Sequence, residues 1–260
     1  MPIPKIIHQI YLQGWNSLPK RYDKNVASIL EHNKDWHHIR WDENSILYAL
    51  NILGKEYVQK YYSFEHLHQR VDFSRYALLF LYGGASTDLD VFAYKNFNET
   101  PFIDKSDFIV SYNSSNAFEN YIKSGKALVI NNATILVSKN NPILKKLLDH
   151  ILTLTCEANE SKYDCINETT GIKEFDSFLN NYKDQITVLD NVYLEPCQGM
   201  DEYCTINPSL TVIDHQHEGT WLSPSKLRIA RIWYWLKQWK YVIFLVIIFI
   251  ILILILKSND

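Results

Sequence analysis

Short apolar runs and longer runs with helical periodicity follow one another along the first 228 residues. The run Lys5–Leu12 predicts a buried strand, and Trp36–Trp41 predicts a second strand between polar stretches of helical character. Residues 64–82 predict one helix, because their apolar positions recur at near-helical spacing and two glycines, Gly83 and Gly84, follow directly. The first third of the chain is therefore predicted to form strands joined by helices.

The second part of the chain adds extended segments around one more predicted helix. That helix runs from Pro142 to about Thr155, with Asn141 as its cap. Residues 156–185 are polar and are predicted to be rich in loops. The further extended candidates are Asp88–Phe92, Phe108–Tyr112, Leu128–Val137, Thr187–Leu194 and Leu210–Asp214. Strands that alternate with helices predict an α/β fold with a mostly parallel or mixed sheet, whose site lies at the carboxyl ends of strands.

The C-terminal end departs from this pattern. Residues 241–256 (YVIFLVIIFIILILIL) contain no charged residue, no glycine and no proline. As a helix this run would extend about 24 Å at about 1.5 Å per residue, slightly short of a hydrocarbon core of about 30 Å. We therefore expect an α/β domain over residues 1–228, an aromatic and basic juxtamembrane segment over 229–240, and a single-pass transmembrane helix over 241–256.

The net charge of the chain argues against one class of function, and the order of its segments predicts on which side of a membrane the domain lies. The chain has 260 residues and a net charge of -3, which argues against a nucleic-acid binder that works by neutralising phosphates. No cleavable signal precedes the first predicted strand, so we expect a C-terminal anchor with the domain on the cytosolic side of the membrane. Lysine and arginine residues before the predicted span agree with that orientation.

Two features of the sequence bear on the redox compartment. The four cysteines lack the spacing of a zinc ribbon or of a redox pair, and we expect free thiols. Four tripeptides match the glycosylation pattern, but an asparagine-rich chain produces such matches by chance. The cysteines are Cys156, Cys165, Cys197 and Cys204, and the tripeptides begin at Asn98, Asn113, Asn132 and Asn167.

The candidate chemistry is concentrated between residues 70 and 90. Asp88 and Asp90 are two apart, so on an extended segment they would share a face, where two carboxylates repel unless a cation lies near them. Oxygen ligands of this kind suit Mg²⁺ or Mn²⁺ with coordination positions left open for phosphate oxygens. A metal in that position neutralises the charge that develops on a leaving nucleoside diphosphate.

A second pair of polar residues precedes the aspartates on the predicted helix. Asp72 and Arg75 are three apart and share one helix face, from which they can bind sugar hydroxyls. The glycines at 83 and 84 allow a sharp turn and a close approach of the backbone to a ligand. Each feature alone is common on protein surfaces. Their combination in this order is what indicates a functional site.

The block from Arg70 to Asp90 resembles the signature of glycosyltransferase family 32, whose members include Golgi-type and inositol-phosphoceramide mannosyltransferases. Other landmarks of that family appear in order along residues 4–221. They are Pro4–Tyr11, Trp41–Glu43, Asn131–Ala133, Thr170-Gly171 and His215–Trp221. The resemblance implies a GT-A-type fold, a Mn²⁺ or Mg²⁺ ion, and the transfer of a hexose from a UDP- or GDP-sugar with retention of configuration.

The resemblance also implies roles for individual residues. Asp88 and Asp90 would hold the metal and, through it, the diphosphate. His215 aligns with the family's recurring histidine near the metal, and His217 is the alternative, so the choice between them stays open. The implied substrate contacts are Asp72 and Arg75 to the donor sugar, Ile10 and Tyr11 to the nucleotide base, Asn132 to sugar or acceptor, and Trp221 to the diphosphate.

Several positions depart from the family pattern. Ser86 stands where an aromatic residue is usual, Tyr11 and Thr220 stand for Trp and Ser, and Ile172 stands for Pro. The change at Ser86 bears on the packing against the donor, Thr220 keeps a hydroxyl, and none of the departures removes a metal-binding carboxylate.

The leading functional hypothesis is a metal-dependent glycosyltransferase that acts on a hydroxyl of a membrane-associated acceptor, a glycolipid first and a protein or polysaccharide second. The alternative is a catalytically inactive protein of the same fold that displays a binding surface at the membrane. A phosphatase of the haloacid-dehalogenase type also uses an Asp-x-Asp motif. There the motif closes the first strand, with Thr or Val where this chain has Phe92.

Overall fold

The computed structural model describes residues 2–114, 126, 128–158, 160–197 and 204–218, with isolated positions at 228, 232, 239, 242 and 249. The described residues up to 218 form one compact unit, and those from 228 onward belong to a second. Segments 229–240 and 241–256 therefore lie almost entirely outside the described residues. Within the described parts of the chain, no helix has the length and apolar character needed to cross a bilayer.

A mixed sheet of six strands forms the centre of the first unit. Its strands are β1 (Ile6–Ile10), β2 (His37–Trp41), β3 (Gly84–Thr87), β5 (Phe108–Ser111), β6 (Thr134–Val137) and β7 (Thr187–Leu189). Two further strands, β4 (Val91–Ala93) and β8 (Ile213–His215), form a separate antiparallel pair. The order in the large sheet is β2-β1-β3-β6-β5-β7, with β6 antiparallel to both of its neighbours and the other pairs parallel. The predicted α/β architecture with a mixed sheet is confirmed.

Eight α-helices and four short 3-10 segments occur in the part of the chain that the structure describes. The helices are α1 (Asp23–His32), α2 (Glu43–Leu53), α3 (Lys55–Ser63), α4 (Leu67–Tyr82), α5 (Pro142–Thr153), α6 (Lys162–Thr169), α7 (Ile172–Leu179) and α8 (Asn191–Leu194). Both predicted helices are present. Helix α4 ends at Tyr82 and is capped by Gly83, whose φ is 66° and whose N–H donates to the Leu79 carbonyl. Asn141 caps α5 by accepting the Ile143 N–H at 2.9 Å.

The hydrophobic core lies on both faces of the sheet, because successive side chains of a strand point to opposite sides. In β6, Ile135 and Val137 join the cluster formed with α2, α3, α4, α5 and α7, whereas Leu136 joins the cluster formed with α1, β4 and β8. Fully buried aromatic side chains such as Phe73 and Tyr76 fill the first cluster. The sheet is therefore covered on both sides, and only its edges and strand ends remain for a site.

Three local predictions are wrong. Residues 156–185 contain helices rather than loops, because Phe175 and Leu179 of α7 are buried against the core at helical spacing. The predicted strand Thr187–Leu194 stops at Leu189, where Asp190 accepts the Val192 N–H and starts α8. Asp88–Phe92 is a turn followed by a strand rather than one extended segment. Polar surface residues hid the helical period in the first case, and local capping overrode β propensity in the second.

The expectation of free thiols is also wrong. Cys156 is bonded to Cys165, and Cys197 is bonded to Cys204. The Cα atoms of the two pairs are 4.9 and 5.7 Å apart, within the range that a disulfide spans. Cys165 lies on α6, inside the segment predicted to be rich in loops, so the approach of the two thiols does not follow from the spacing of the cysteines.

Gly84 is expected to tolerate no side chain. Its φ of 105° is unfavourable for other residues, and a Cβ there would collide with the Ile6 carbonyl oxygen. Gly14 also has a positive φ, 88°, but a Cβ there would meet nothing within 4 Å. We expect Gly84→Ala to lower the free energy of unfolding by about 3 kcal/mol or more, and Gly14→Ala by about 1 kcal/mol. Urea unfolding of both variants measures the difference, and equal losses would contradict the expectation.

Candidate active site

The sheet topology brings the predicted site residues to one edge. Strands β1 and β3 are parallel neighbours with His8 opposite Ser86, so their carboxyl ends, which lead to Tyr11 and Asp88, lie side by side. Strand β6 runs antiparallel to β3 and therefore begins at the same edge, two residues after Asn132. The Asp88 N–H donates to the Ala133 carbonyl at 3.1 Å, which joins the two segments. This is the edge at which ligands bind in open α/β sheets.

Asp88 and Asp90 occupy the turn between β3 and β4. The Val91 N–H donates to the Asp88 carbonyl at 3.3 Å, so the aspartates belong to a turn. The expectation that they share one face of an extended segment is therefore wrong. Strand β8 pairs with β4 and places His215 opposite Val91. As a result, ligand atoms of Asp88, Asp90 and His215 all lie within 4.8 Å of one another.

The backbone after β8 holds Asp90 in place. The Gln216 N–H donates to the Asp90 carbonyl, and the Glu218 N–H donates to Asp90 Oδ2, both at 2.9 Å. His215 Nε2 is 3.3 Å from Asp90 Oδ1. Asp90 thus has one oxygen engaged by the backbone and the other directed toward the imidazole, which fixes the carboxylate without help from a ligand.

The two candidate histidines occupy different positions. His215 lies between Asp90 and Glu195, whose Oε1 is 3.1 Å from His215 Nδ1. His217 Nε2 is 3.1 Å from Glu195 Oε2, and His217 groups with Glu195 and His215 rather than with the two aspartates. The sequence pattern does not indicate Glu195 as a site residue. Its separation from the two histidines along the chain matches no motif, and only the folding of α8 against β8 brings it near them.

The charges of this group shift one another's pKa values. Burial alone would raise the pKa of Asp90, but His215 and the hydrogen bonds to Asp90 hold it below its ordinary value. Burial would lower the pKa of His215, but Glu195 and Asp90 raise it well above its usual range. Burial would likewise raise the pKa of Glu195, but the two histidines hold it below its usual value. The group therefore contains buried anions stabilised by positive charge.

Arg75 connects the aspartates to the predicted sugar-binding residues. Its guanidinium donates to Asp88 Oδ1 and to the Asn132 carbonyl, and it lies 3.8 Å from Asp72 Oδ1. The Asn132 amide donates to Asp72 Oδ1 at 3.2 Å and to the Tyr76 hydroxyl at 3.0 Å. Asp72, Arg75 and Asn132 are thus brought together with Asp88.

Two further residues support this edge and were not predicted. The Tyr76 hydroxyl donates to the Thr170 carbonyl at 2.8 Å, which ties α4 to the turn before α7. The Gln9 amide donates to Thr87 Oγ1 at 3.2 Å and to the Asp88 carbonyl at 3.3 Å, so β1 supports the turn that carries Asp88. Neither residue type signals such a role in the sequence, because each acts through a contact between distant segments.

The predicted contacts to a nucleotide base are described only in part. Ile10 is buried in the core, so only its backbone can face a ligand, whereas Tyr11 is half-buried and its N–H donates to the Trp41 carbonyl at 2.9 Å. Trp221 lies outside the described residues.

Asp88, Asp90 and His215 fit a divalent cation. Two carboxylates and one imidazole offer the oxygen and nitrogen ligands that Mn²⁺ accepts, and hard Mg²⁺ accepts the carboxylates. The side chain of Asp88 is 30% exposed, which leaves it accessible from the surface.

Comparisons with known proteins agree with this arrangement. A family model described as the glycosyltransferase sugar-binding region containing the DXD motif matches residues 19–109, which include Asp72, Arg75, Asp88 and Asp90. An uncharacterized glycosyltransferase of Acanthamoeba polyphaga mimivirus is 30% identical over 251 residues, which cover 94% of this chain and 92% of the viral protein. The chain belongs to the DXD-containing glycosyltransferases. The predicted family and enzyme class are confirmed.

Other similarities cover less of this glycosyltransferase or are weaker. Inositol phosphoceramide mannosyltransferase 1 of Schizosaccharomyces pombe is 29% identical over 111 residues, which are 42% of this chain and 34% of the yeast protein. The solved structure of PaToxG glycosyltransferase has a TM-score of 0.47 and 18% identity, and the match covers 70% of this chain and 71% of that one.

Asp72 is expected to destabilise the glycosyltransferase at neutral and alkaline pH. Burial raises its pKa to about 7, although Arg75 opposes the shift. A carboxyl whose folded pKa is raised loses stability as pH rises from its ordinary pKa, 3.8, toward 7, because the folded state must release a proton there. We expect Asp72→Asn to raise the Tm by about 2 °C or more at pH 8, relative to wild type, and by less at pH 5.

Asp149→Asn is the matched control for this measurement. Asp149 is half-exposed and pairs with Lys145 on the same helix, and its pKa is lowered. Its replacement should leave the Tm at pH 8 unchanged or slightly lower. A Tm of Asp72→Asn that stays at or below the wild-type value at pH 8 would show that Asp72 is not a buried, destabilising carboxylate.

Proposed function

We propose that this glycosyltransferase transfers a hexose from a UDP- or GDP-sugar to a hydroxyl of a membrane-associated acceptor, depends on Mn²⁺ or Mg²⁺, and retains the anomeric configuration. The single observation that carries the proposal is the convergence of Asp88, Asp90 and His215 within 4.8 Å at the strand edge where Asp72, Arg75 and Asn132 also meet. A mixed sheet with its site at strand ends is consistent with a GT-A-type fold.

Asp88, Asp90 and His215 would hold the cation. When bound, the cation supplies positive charge that offsets the negative charge developing on the departing diphosphate. Binding of the sugar would depend on side chains that their neighbours already hold in a fixed orientation. Arg75 holds Asp88 and the Asn132 backbone, and the Asn132 amide is held by Asp72 and Tyr76, so this polar surface needs little reorganisation to bind a sugar.

Asp72 and Asn132 would contact the donor sugar or the acceptor. Asp72 can accept hydrogen bonds from sugar hydroxyls, and Asn132 can both donate and accept them. Tyr11 would lie beside the nucleotide base, with Ile10 contributing through its backbone. Trp221 would close over the diphosphate.

The acceptor proposal combines a relative with the C-terminal run. The yeast relative is named an inositol phosphoceramide mannosyltransferase, which supports a mannosyl donor and an inositol-lipid acceptor as the first to test. We propose that residues 241–256 anchor the enzyme, because a tethered domain meets membrane lipids at high effective concentration. A protein or polysaccharide acceptor is the second choice.

The donor and the metal are tested together on the full chain in detergent. We expect one UDP- or GDP-sugar to raise the Tm only when Mn²⁺ is present and to be slowly hydrolysed. Asp88→Asn and Asp90→Asn should each reduce that hydrolysis by about 100-fold or more, because charge stabilisation at the leaving group is lost. The control is Asp184→Asn, which changes an exposed aspartate away from the site and should keep full activity.

Two outcomes would count against the proposal. Full hydrolysis in both aspartate variants would remove Asp88 and Asp90 from the mechanism. If no donor binds or reacts, with or without metal, the inactive membrane-displayed binding protein becomes the better interpretation.

The two disulfides favour a different orientation from the cytosolic one expected from sequence. Disulfides persist in oxidising compartments and are rare in the cytosol. Asn98 is exposed, whereas Asn167 is buried and Asn132 is part of the site, so Asn98 is the glycan acceptor best supported among these three. We propose that the domain faces an oxidising compartment.

Thiol labelling of the protein taken from cells tests this orientation. The denatured, unreduced chain should bind no maleimide, and the reduced chain should bind four equivalents, one for each cysteine. Any glycan should disappear in Asn98→Gln. Four reactive thiols before reduction would contradict this proposal and support the cytosolic orientation expected from the sequence.

A further inference from the structure

Glu195 is a buried carboxylate that the proposed mechanism does not yet use. It follows helix α8, and its N–H donates to the Asn191 carbonyl at 2.7 Å. The residue is 0% exposed. Moving a carboxylate out of water is costly unless its charge is paired. We therefore expect the buried Glu195 to have a partner that depends on its negative charge.

The backbone around Glu195 is fastened to the strand that carries His215. The Val212 N–H donates to the Tyr193 carbonyl, and the Thr211 hydroxyl donates to the Val192 carbonyl, both at 2.9 Å. Residues 211 and 212 lead directly into β8. Helix α8 and β8 are thus held together one turn away from the carboxylate, so the distance between Glu195 and His215 is set by hydrogen bonds to the α8 main chain as well as by the two side chains.

The Glu195 carboxylate faces two imidazoles. Its Oε1 is 3.1 Å from His215 Nδ1, and its Oε2 is 3.1 Å from His217 Nε2. The opposite nitrogen of His215, Nε2, is directed at Asp90 Oδ1 at 3.3 Å. When a cation takes the place of the proton on Nε2, His215 keeps its Nδ1–H for Glu195, and the lone pair of Nε2 faces the space beside Asp88 and Asp90. That is the tautomer which a metal-binding histidine needs at this place.

His217 completes the pairing of Glu195. Its backbone has a φ of 49°, a left-handed conformation that costs a residue with a Cβ about 1 kcal/mol or more. This conformation turns the His217 ring back onto His215, with ring centroids 4.0 Å apart, and brings Nε2 to Glu195 Oε2. The left-handed conformation of His217 therefore directs its side chain to the Glu195 carboxylate rather than to Asp88 and Asp90.

We propose that Glu195 is a positioning residue that orients His215 as the nitrogen ligand of the divalent cation, while His217 pairs with Glu195 and does not bind the cation. The inference rests on the proposed metal-dependent function. It decides between the two histidines that the sequence left open, and it gives a role to a residue that no motif indicated.

Mn²⁺ affinity of the full chain, measured without any sugar donor, tests the inference independently of catalysis. The free Mn²⁺ signal in electron paramagnetic resonance gives the Kd. Loss of a carboxylate that orients a metal-binding histidine weakens metal affinity about 10- to 100-fold, and we expect that loss in Glu195→Gln. The matched control is Glu174→Gln, because Glu174 Oε1 lies 2.8 Å from His150 Nε2 in a similar pair elsewhere in the domain. Its Kd should equal that of wild type.

A double-mutant cycle separates positioning from a general structural effect. In a His215→Ala background, Glu195→Gln should change the Kd no further, because the carboxylate acts through the missing imidazole. His217→Ala should change the Kd of the wild-type chain by less than about threefold, because His217 neither binds the cation nor accepts the Nδ1 proton of the imidazole that does. An additional loss from Glu195→Gln in the His215→Ala background, or a loss in His217→Ala as large as in His215→Ala, would overturn the proposal.

A measurement on the wild-type chain avoids any dependence on the folding of the variants. With Zn²⁺ as a diamagnetic ion that imidazole binds, ¹⁵N NMR should show the proton of His215 on Nδ1 and the metal on Nε2. A proton on Nε2 in the metal-saturated protein would overturn the proposal.

Failure of the inference and failure of the proposed function give different results. If wild type binds Mn²⁺ and Asp90→Asn does not, but Glu195→Gln binds as tightly as wild type, the role of Glu195 is wrong and the metal site stands. If wild type and Asp90→Asn bind Mn²⁺ equally weakly, the metal site itself is wrong, and the role of Glu195 falls with it.

Discussion

The pairing of buried negative charge with fixed positive charge is the constraint on which the site depends. Asp88 and Asp90 lie close together, Glu195 lies on the opposite side of His215, and the repulsion among these carboxylates would be severe without compensation. Arg75 contacts Asp88, and His215 lies between Asp90 and Glu195. Because removing either partner of such a pair leaves an uncompensated buried charge, each of these side chains is tied to its neighbours. The arrangement is ready for a cation that would share the same anions.

The fold satisfies this constraint by joining segments that are distant in the chain. Strands β1 and β3 run parallel and bring Gln9 beneath the turn that carries Asp88, while the segment that leads into the antiparallel strand β6 supplies Asn132. The small β4–β8 pair then carries His215 to Asp90 from a point more than one hundred residues later. The glycine at the start of β3 matters here because the Ile6 carbonyl approaches its Cα so closely that any side chain would separate β1 from β3.

Several elements of this structure follow from the sequence with ordinary rules. Strand β1, strand β2, helix α4 and helix α5 were predicted because their signals are local: apolar periodicity, a terminal glycine and an asparagine cap. Where a local signal was weak, the prediction failed. Helices α6 and α7 carry many polar residues, and their burial against Gln69 and Tyr76 of α4 is a tertiary effect. The disulfides could not be predicted for the same reason, since they depend on which cysteines the fold brings together and not on the spacing of the cysteines in the sequence.

For the site, the sequence by itself determined which residues carry the chemistry of the aspartate pair and of the Asp72–Arg75 face, because these lie within one continuous block. It also determined the family, since the order of the landmarks is a property of the chain. Only the tertiary structure decided that the aspartates occupy a turn, that His215 rather than His217 meets them, and that Glu195 lies behind both histidines. The physical reason is that charge compensation acts over a few ångströms in space, whereas the groups that provide it are separated by long stretches of chain.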